Sequence, residues 1–332
     1  MNILIYNFNM GNFKAIIKNA KKFNCDIKLA NELILSINQT TRRDGKTGKS
    51  TDIFGKYWFS TPKGEVLFKL IGKEADFDTG ILQKLNEIIC YRLAKQMGVN
   101  CAEYVPAKVD GKIKGLASVN FLNKGEKLIS LYDLVSCGNN ILSIMQNLEQ
   151  LKDYYNTINL RQIFYSLYAY SIFDLLTCQE DRHKNNISFI VDKRNNLKIA
   201  PIYDNEYSFF VSAFLFFGDE VYNSAEEFID NYFISAGLMT PNYTRKEDDG
   251  LRGFDLISRQ LVMIAKKDKT CEQILKNILN NANLVPVYEE LESEGYIIDS
   301  KYKDFTISIL DATRKRVKNI FKNLTSESQN EK

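Results

Sequence analysis

The chain has 332 residues, 45% of them hydrophobic, a length that suits two domains or lobes and a composition that supplies a substantial core. Lys and Arg number 44 against 41 Asp and Glu, so no whole-protein basic field points to nucleic acid; the longest apolar run, FFVSAFLFFG at 209–218, is too short to cross a bilayer. A single histidine, His183, excludes catalysis built on several histidines, and six scattered cysteines without a C-x-x-C pair argue against structural zinc and for reduced thiols in a cytoplasmic protein.

Residues 1–35 read as strand, helix, strand: NILIYNF, NFKAIIKNAKKF, CDIKLA, with Ile16, Ile17, Ala20 and Phe23 at helical spacing. The segment NFNMGNFKAIIKNAKKFNCDIKLAN is similar to the opening unit of class I glutamine amidotransferases. That family's nucleophile cysteine in a G-x-C-x-G turn is absent, so 1–38 is read as a short α/β extension without amidotransferase chemistry.

Next comes GKTGKS, residues 45–50, which ends like a phosphate-binding loop. The strict G-x-x-x-x-G-K-[ST] spacing needs a glycine at 43, where Arg43 stands. No apolar strand precedes it and a strand-like run, not a helix, follows. Two readings stay open at this point: a solvated basic loop, or a glycine-rich phosphate loop of a different fold.

Between 52 and 122, strand and turn signals alternate around one helix. KYWFS and EVLFKLI flank a Thr-Pro-Lys-Gly turn and predict a hairpin. ILQKLNEIICYRLAKQMG predicts an amphipathic helix with Leu82, Leu85, Ile89, Leu93 and Met97 as its apolar stripe and Gly98 as its stop. YVPAKVDGKIKGLASVNFL predicts two or three strands around a Val-Asp-Gly-Lys turn. From about 130 the pattern is mainly helical, and the aromatic helix at 160–177 is dense enough to be buried. The segments are therefore a strand-rich unit at 39–123, a helical unit at 124–325 and a frayed tail at 326–332.

The chemistry concentrates in CQEDRHKNNISFIVDKRNNLKIAPIYDNEYSFF, 178–210. Asp181 is followed five residues on by Asn186, then by a strand, a turn, a second strand and Asp204. This is the functional order of a kinase catalytic loop. An aspartate accepts the proton of the attacking hydroxyl, an asparagine of the same loop reaches magnesium, and a hairpin returns a second aspartate to the metal. A kinase also needs a strand lysine for the ATP phosphates and a helix glutamate to orient it. Lys69 in VLFKLI and Glu87 on the following helix occupy those places in the chain.

With these elements in order, the chain resembles the HipA-like kinases, atypical Ser/Thr kinases that include toxin components of toxin–antitoxin systems and the related CtkA-type kinases. The resemblance rests on DGKTGK (44–49), VLFKLI (66–71), NEIICYRLAKQMGV (86–99), FDLLTCQEDRHKNNISF (173–189) and IAPIYDNEYS (199–208). It implies an α+β, two-lobed protein-kinase-like fold with a small strand-rich N-lobe and a larger helical C-lobe. It implies Asp181 as catalytic base, Asn186 and Asp204 as magnesium ligands, and Lys69, Glu87 and His183 on the ATP side. GKTGKS then becomes the phosphate loop, with Gly45, Gly48 and Lys49 at the phosphates, Lys46 adding charge, and Thr47, Ser50 and Thr51 as candidate autophosphorylation sites. Asp174 matches a further acidic position of the family. ATP and Mg2+ follow as cofactors, a protein as substrate and an antitoxin as partner, with no direct nucleic acid and no membrane.

The chain departs from the family where Gly-Asn usually precedes the catalytic aspartate; here stand Cys178 and Gln179. Asn205 and Glu206 follow Asp204 without a glycine, so a D-F-G-like flip is not implied. Residues 1–35 are too short to replace the large N-terminal subdomain of full-length members. Two further function classes stay open in sequence: a lipid or small-molecule kinase, since D-R-H-x-x-N also occurs in phosphoinositide kinases, and a nucleotide-binding pseudokinase module, favoured by the unusual Cys178-Gln179 turn.

Overall fold

A computed structural model of the chain describes residues 3–4, 56–61, 64–70, 79–109, 112–135, 141–217, 225–232 and 253–330. The expected phosphate loop at 45–51, including Gly45, Lys46, Thr47, Gly48, Lys49, Ser50 and Thr51, lies outside these residues, as does most of the 1–38 extension. Its first strand is described: β1 (Ile3–Leu4) pairs in parallel with β4 (Tyr104–Val109), Ile3 opposite Ala107.

The expected hairpins form one five-stranded sheet. β2 (Lys56–Thr61) and β3 (Gly64–Leu70) pair antiparallel with Lys56 opposite Lys69 and Thr61 opposite Gly64. β5 (Lys112–Val119) pairs antiparallel with both β3 and β4, giving the order β1-β4-β5-β3-β2. β3 therefore lies between two neighbours, and Lys69, opposite Leu116, is not on an edge strand.

Helix α1 (Thr79–Met97) follows the expected range closely. Gly98 closes it at φ +73°, with Val99 N donating to Ala94 O at 2.8 Å, the left-handed stop that glycine adopts without a Cβ penalty. The helix is more than amphipathic. Every residue from Lys84 to Cys90 is buried, including Lys84, Asn86 and Glu87, because α1 packs on β4 and β5 and also on three helices, α5 (Val211–Phe217), α8 (Lys269–Asn281) and α9 (Val285–Ser293).

The part of the chain after 124 is mostly helical but carries a second sheet that sequence periodicity did not show. β6 (Lys127–Ser130), β8 (Ser188–Val191), β9 (Asn196–Ile199) and the two-residue β7 (Thr157–Ile158) run in the order β6-β8-β9-β7. Strands of two and four residues are too short to display a period of two. The β8–β9 hairpin itself was legible: Asp192 accepts from the amides of Arg194 and Asn196 (2.8 and 2.9 Å), and Asn195 takes the left-handed position at φ +58° that asparagine tolerates.

Around this sheet lie the short α2 (Leu131–Leu134), α3 (Ile141–Gln150), the central α4 (Leu160–Leu176), α6 (Ala225–Tyr232), α7 (Phe254–Lys267) and the 31-residue α10 (Ser300–Asn330). α4 is capped by Asn159, which accepts from Gln162 N at 3.0 Å, and buries every residue from Leu167 to Leu176 but Ala169. In the apolar run at 209–218, Phe209, Phe210 and Val211 are buried and Ser212, Ala213 and Phe214 half-buried. The tail at 326–332 was expected to fray; α10 instead stays helical to Asn330, since no Gly or Pro interrupts it after Ser300.

Candidate active site

The catalytic segment begins where α4 ends. Cys178, fully buried, sits at φ +47°, a left-handed backbone that non-glycine residues rarely adopt. This is one of the two positions where the family carries glycine and asparagine, so the turn keeps a glycine-like geometry without the glycine. It sends Gln179 inward, where its amide joins two loops. Oε1 accepts from Asp181 N at 3.0 Å, while Nε2 donates to Ser208 Oγ at 3.3 Å and Asp204 O at 3.5 Å.

Arg182 then turns into the interior. Its guanidinium is completely buried and bonds both oxygens of the equally buried Asp174 at 3.0 and 3.1 Å. It also donates to Tyr203 O at 2.6 Å and to Asn205 Oδ1. Burial opposes its charge, but Asp174 outweighs that and raises the pKa above the ordinary arginine value. Its neighbour Asp181 faces the other way, with 45% of its side chain exposed. A 3-10 turn at Lys184–Asn186 brings Asn186 back, and Nδ2 donates to Asp181 O at 2.9 Å. That leaves the Asn186 amide oxygen as an acceptor.

The second loop follows β9. Asp204 has φ +59°, a conformation that aspartate tolerates better than most residues. The residues after it are held by α1. Glu87 Oε2 accepts from Asn205 N at 3.0 Å, Asn86 Nδ2 donates to Glu206 O at 3.1 Å and Ser208 O at 2.8 Å, and Lys84 Nζ lies 2.7 Å from Glu206 Oε2. One carboxylate oxygen from each of Glu87, Asp204 and Glu206 falls within 4.8 Å of the others. This all-oxygen donor set, with Asn186 nearby in the fold, fits a hard cation such as magnesium and suits a soft metal poorly.

Partial burial, together with the negative charges of Asp204 and Glu206, lifts Asp181 above the ordinary aspartate value, although His183 and Arg182 oppose the shift. A carboxylate of raised pKa is a better proton acceptor than a free one.

The structure thus brings Asp181, Asn186, Asp204 and Glu87 into one hydrogen-bonded region. His183 is exposed, its Nε2 3.8 Å from Asp181 Oδ1, and is no core residue. The backbone of Lys69 is placed on β3, while its side chain lies outside the described residues; Glu87 binds the Asp204 loop through the amide of Asn205. Sequence reasoning missed Lys84, Asn86, Gln179 and Glu206. Only the position of Gln179 carried a signal, as a departure from the family turn. A cleft of about 760 Å3, lined among others by Met97, Asn159, Arg161, Tyr165 and Asn277, lies elsewhere and contains none of the predicted site residues.

A buried arginine that locks an aspartate-bearing loop, an asparagine five residues on and a metal-competent aspartate after a hairpin define a kinase-like site. The chain belongs to the HipA-like kinase family: the HipA-like C-terminal domain matches residues 57–282. Among solved structures it is similar to a proinflammatory kinase of Helicobacter pylori, CtkA, with a TM-score of 0.56 and 15% identity over 82% of this chain and 95% of that one. It also aligns with HipA of Shewanella oneidensis MR-1, solved with HipB and operator DNA, at a TM-score of 0.42 and 16% identity. That alignment covers 80% of this chain and 61% of the HipA chain. No curated protein sequence matches the chain. Among the described residues, no helix is long and apolar enough to cross a membrane.

Proposed function

We propose that the protein is a Mg-ATP-dependent serine/threonine protein kinase of the HipA-like type, with a small N-lobe at 39–123 and a larger C-lobe at 124–325. The observation that carries this reading is the Gln179 bridge. One side chain ties the backbone of the base, Asp181, to the loop of the metal aspartate, Asp204. A surface turn has no need of such a link between two acidic residues. The Cys178-Gln179 turn, which in sequence favoured a pseudokinase, therefore supports catalysis.

In this reading Asp181 orients the acceptor hydroxyl and takes its proton as the new oxygen–phosphorus bond forms and the bond to the ADP oxygen breaks. Asn186 and Asp204 hold magnesium, which supplies charge neutralisation at the phosphates when bound. Arg182 keeps Asp181 outward by anchoring the residue beside it. Lys69 and the 45–51 loop take the ATP phosphates, and phosphate on Thr47, Ser50 or Thr51 repels them. A toxin role, an antitoxin partner and a cytoplasmic location belong to the same reading.

The test is intact mass after incubation with Mg-ATP, wild type beside Asp181→Ala. The expected result is one added phosphate in the wild type alone, mapping to 45–51. Magnesium-dependent ATP binding with no transfer to itself, to cell-extract proteins or to lipid vesicles identifies a binding module instead. Transfer to vesicles alone identifies a lipid kinase.

A further inference from the structure

Asn86 is completely buried in the middle of α1, and all of its polar atoms have partners. Its Nδ2 bridges the carbonyls of Glu206 and Ser208, at 3.1 and 2.8 Å. Its Oδ1 accepts from the hydroxyl of Tyr302, itself fully buried on α10. A carboxamide can be seated with either end forward, and its partners decide which. The two carbonyls can only accept and so turn the NH2 group toward themselves, while the hydroxyl of Tyr302 satisfies the oxygen left behind. The ring of Tyr302 is in turn fixed edge-on against Phe214 of α5, centroids 4.9 Å apart. The segment that follows Asp204 is therefore held by a side chain braced from another helix.

We propose that Asn86 is the positioning residue for Asp204 and that Tyr302 braces it in place, coupling α10 to the metal-binding aspartate. This rests on the kinase reading of Asp204. Neighbouring bonds act in the same direction: Glu87 takes the amide of Asn205 and Lys84 takes the Glu206 carboxylate. Asn86 joins three elements, α1, the Asp204 loop and α10. Because Lys84 and Glu87 keep their own grips, loss of the Asn86 donors frees the loop without dismantling the core.

The discriminating variants are Asn86→Asp, which keeps shape and the acceptor for Tyr302 but loses both donors, and Tyr302→Phe, which leaves the donors and removes the hydroxyl that braces the carboxamide oxygen. Two measurements are made on the full chain: amide hydrogen exchange at 205–208, and ATP affinity with and without Mg2+. In Asn86→Asp, exchange at 205–208 is expected to rise about tenfold and Mg2+-dependent ATP affinity to fall about tenfold, the scale of one or two hydrogen bonds. Affinity for ATP without Mg2+ stays within about twofold, a split that a general loss of packing does not give. Tyr302→Phe is expected to move both quantities in the same direction by about two- to fivefold, as one hydrogen bond at second remove. Unchanged exchange in Asn86→Asp, or equal losses of affinity with and without Mg2+, overturns the role of Asn86. A silent Tyr302→Phe overturns the coupling to α10. If the wild type binds no Mg-ATP, the kinase reading itself fails, and the exchange data still decide whether Asn86 and Tyr302 hold the loop.

Discussion

The two loops that carry the acidic residues are held in opposite ways. Around Asp181 the partners are close in sequence: Gln179 at a separation of 2, Asn186 at 5, and Asp174 at 8 from Arg182. Around Asp204 the side chains that grip the loop come from α1, at separations of 118 to 122. Asp181, the proposed base, is placed by its own segment, whereas Asp204, the proposed metal ligand, is placed mainly by packing on α1; Gln179 and Arg182 join the two.

This contrast can be broken or sharpened by substitution. The largest effect on rate is expected from Asp181→Asn, which removes the proton acceptor and lowers phosphotransfer by about 10^2–10^4-fold. Because Asp181 is half exposed and its backbone contacts remain, the urea midpoint should not move. Transfer at the wild-type rate refutes the assignment. Arg182→Met breaks the local anchor and leaves Asp174 buried without its cation, at a cost of about 3–5 kcal/mol in urea unfolding. A loss below about 1 kcal/mol would mean that the Asp181 loop does not depend on that pair. Gln179→Ala cuts one of the links between the loops, leaving the bonds of Arg182 to Tyr203 and Asn205. It should cost about 1–3 kcal/mol, with amide exchange rising at both 181 and 204–208 rather than in one loop alone.

The smallest effect is expected at a helix cap. Asp268 caps α8, accepting from Thr270 N at 2.7 Å and Cys271 N at 3.0 Å, and the bond from Cys271 leads those that hold its pKa below the ordinary aspartate value. Its folded pKa is depressed, so its stabilisation is complete above the unfolded value of about 3.9 and is lost as pH falls through the folded value. Asp268→Asn keeps the cap geometry and should flatten that part of the stability-against-pH curve, read by thermal melts across the acid range.

The same contrast explains what could be read from the sequence. Asp181, Asn186, the β8–β9 hairpin and α1 are written in local spacing and periodicity, and each was predicted at or near its observed place. The short strands β6 and β7 were not, because two to four residues carry no period. Asn86 and Lys84 were invisible for a different reason. On a helix read as amphipathic, polar residues between Leu82 and Ile89 look like a solvated face, and only tertiary packing, including the Asp204 loop, buries them. Gln179 stood out only as a missing asparagine; its role depends on a loop that returns more than twenty residues later, at a separation of 25.

The Tyr302–Asn86 contact also orders events in time. The two residues are 216 positions apart, so a ribosome adding about 5–20 residues per second delivers the tyrosine roughly 10–40 s after the asparagine. Once residue 204 is made, the nascent chain carries Asp181, Asn186 and Asp204, yet the carboxamide proposed to seat the Asp204 loop still lacks the hydroxyl that braces it. Messages broken before codon 302 yield polypeptides that hold every proposed catalytic group but not that hydroxyl.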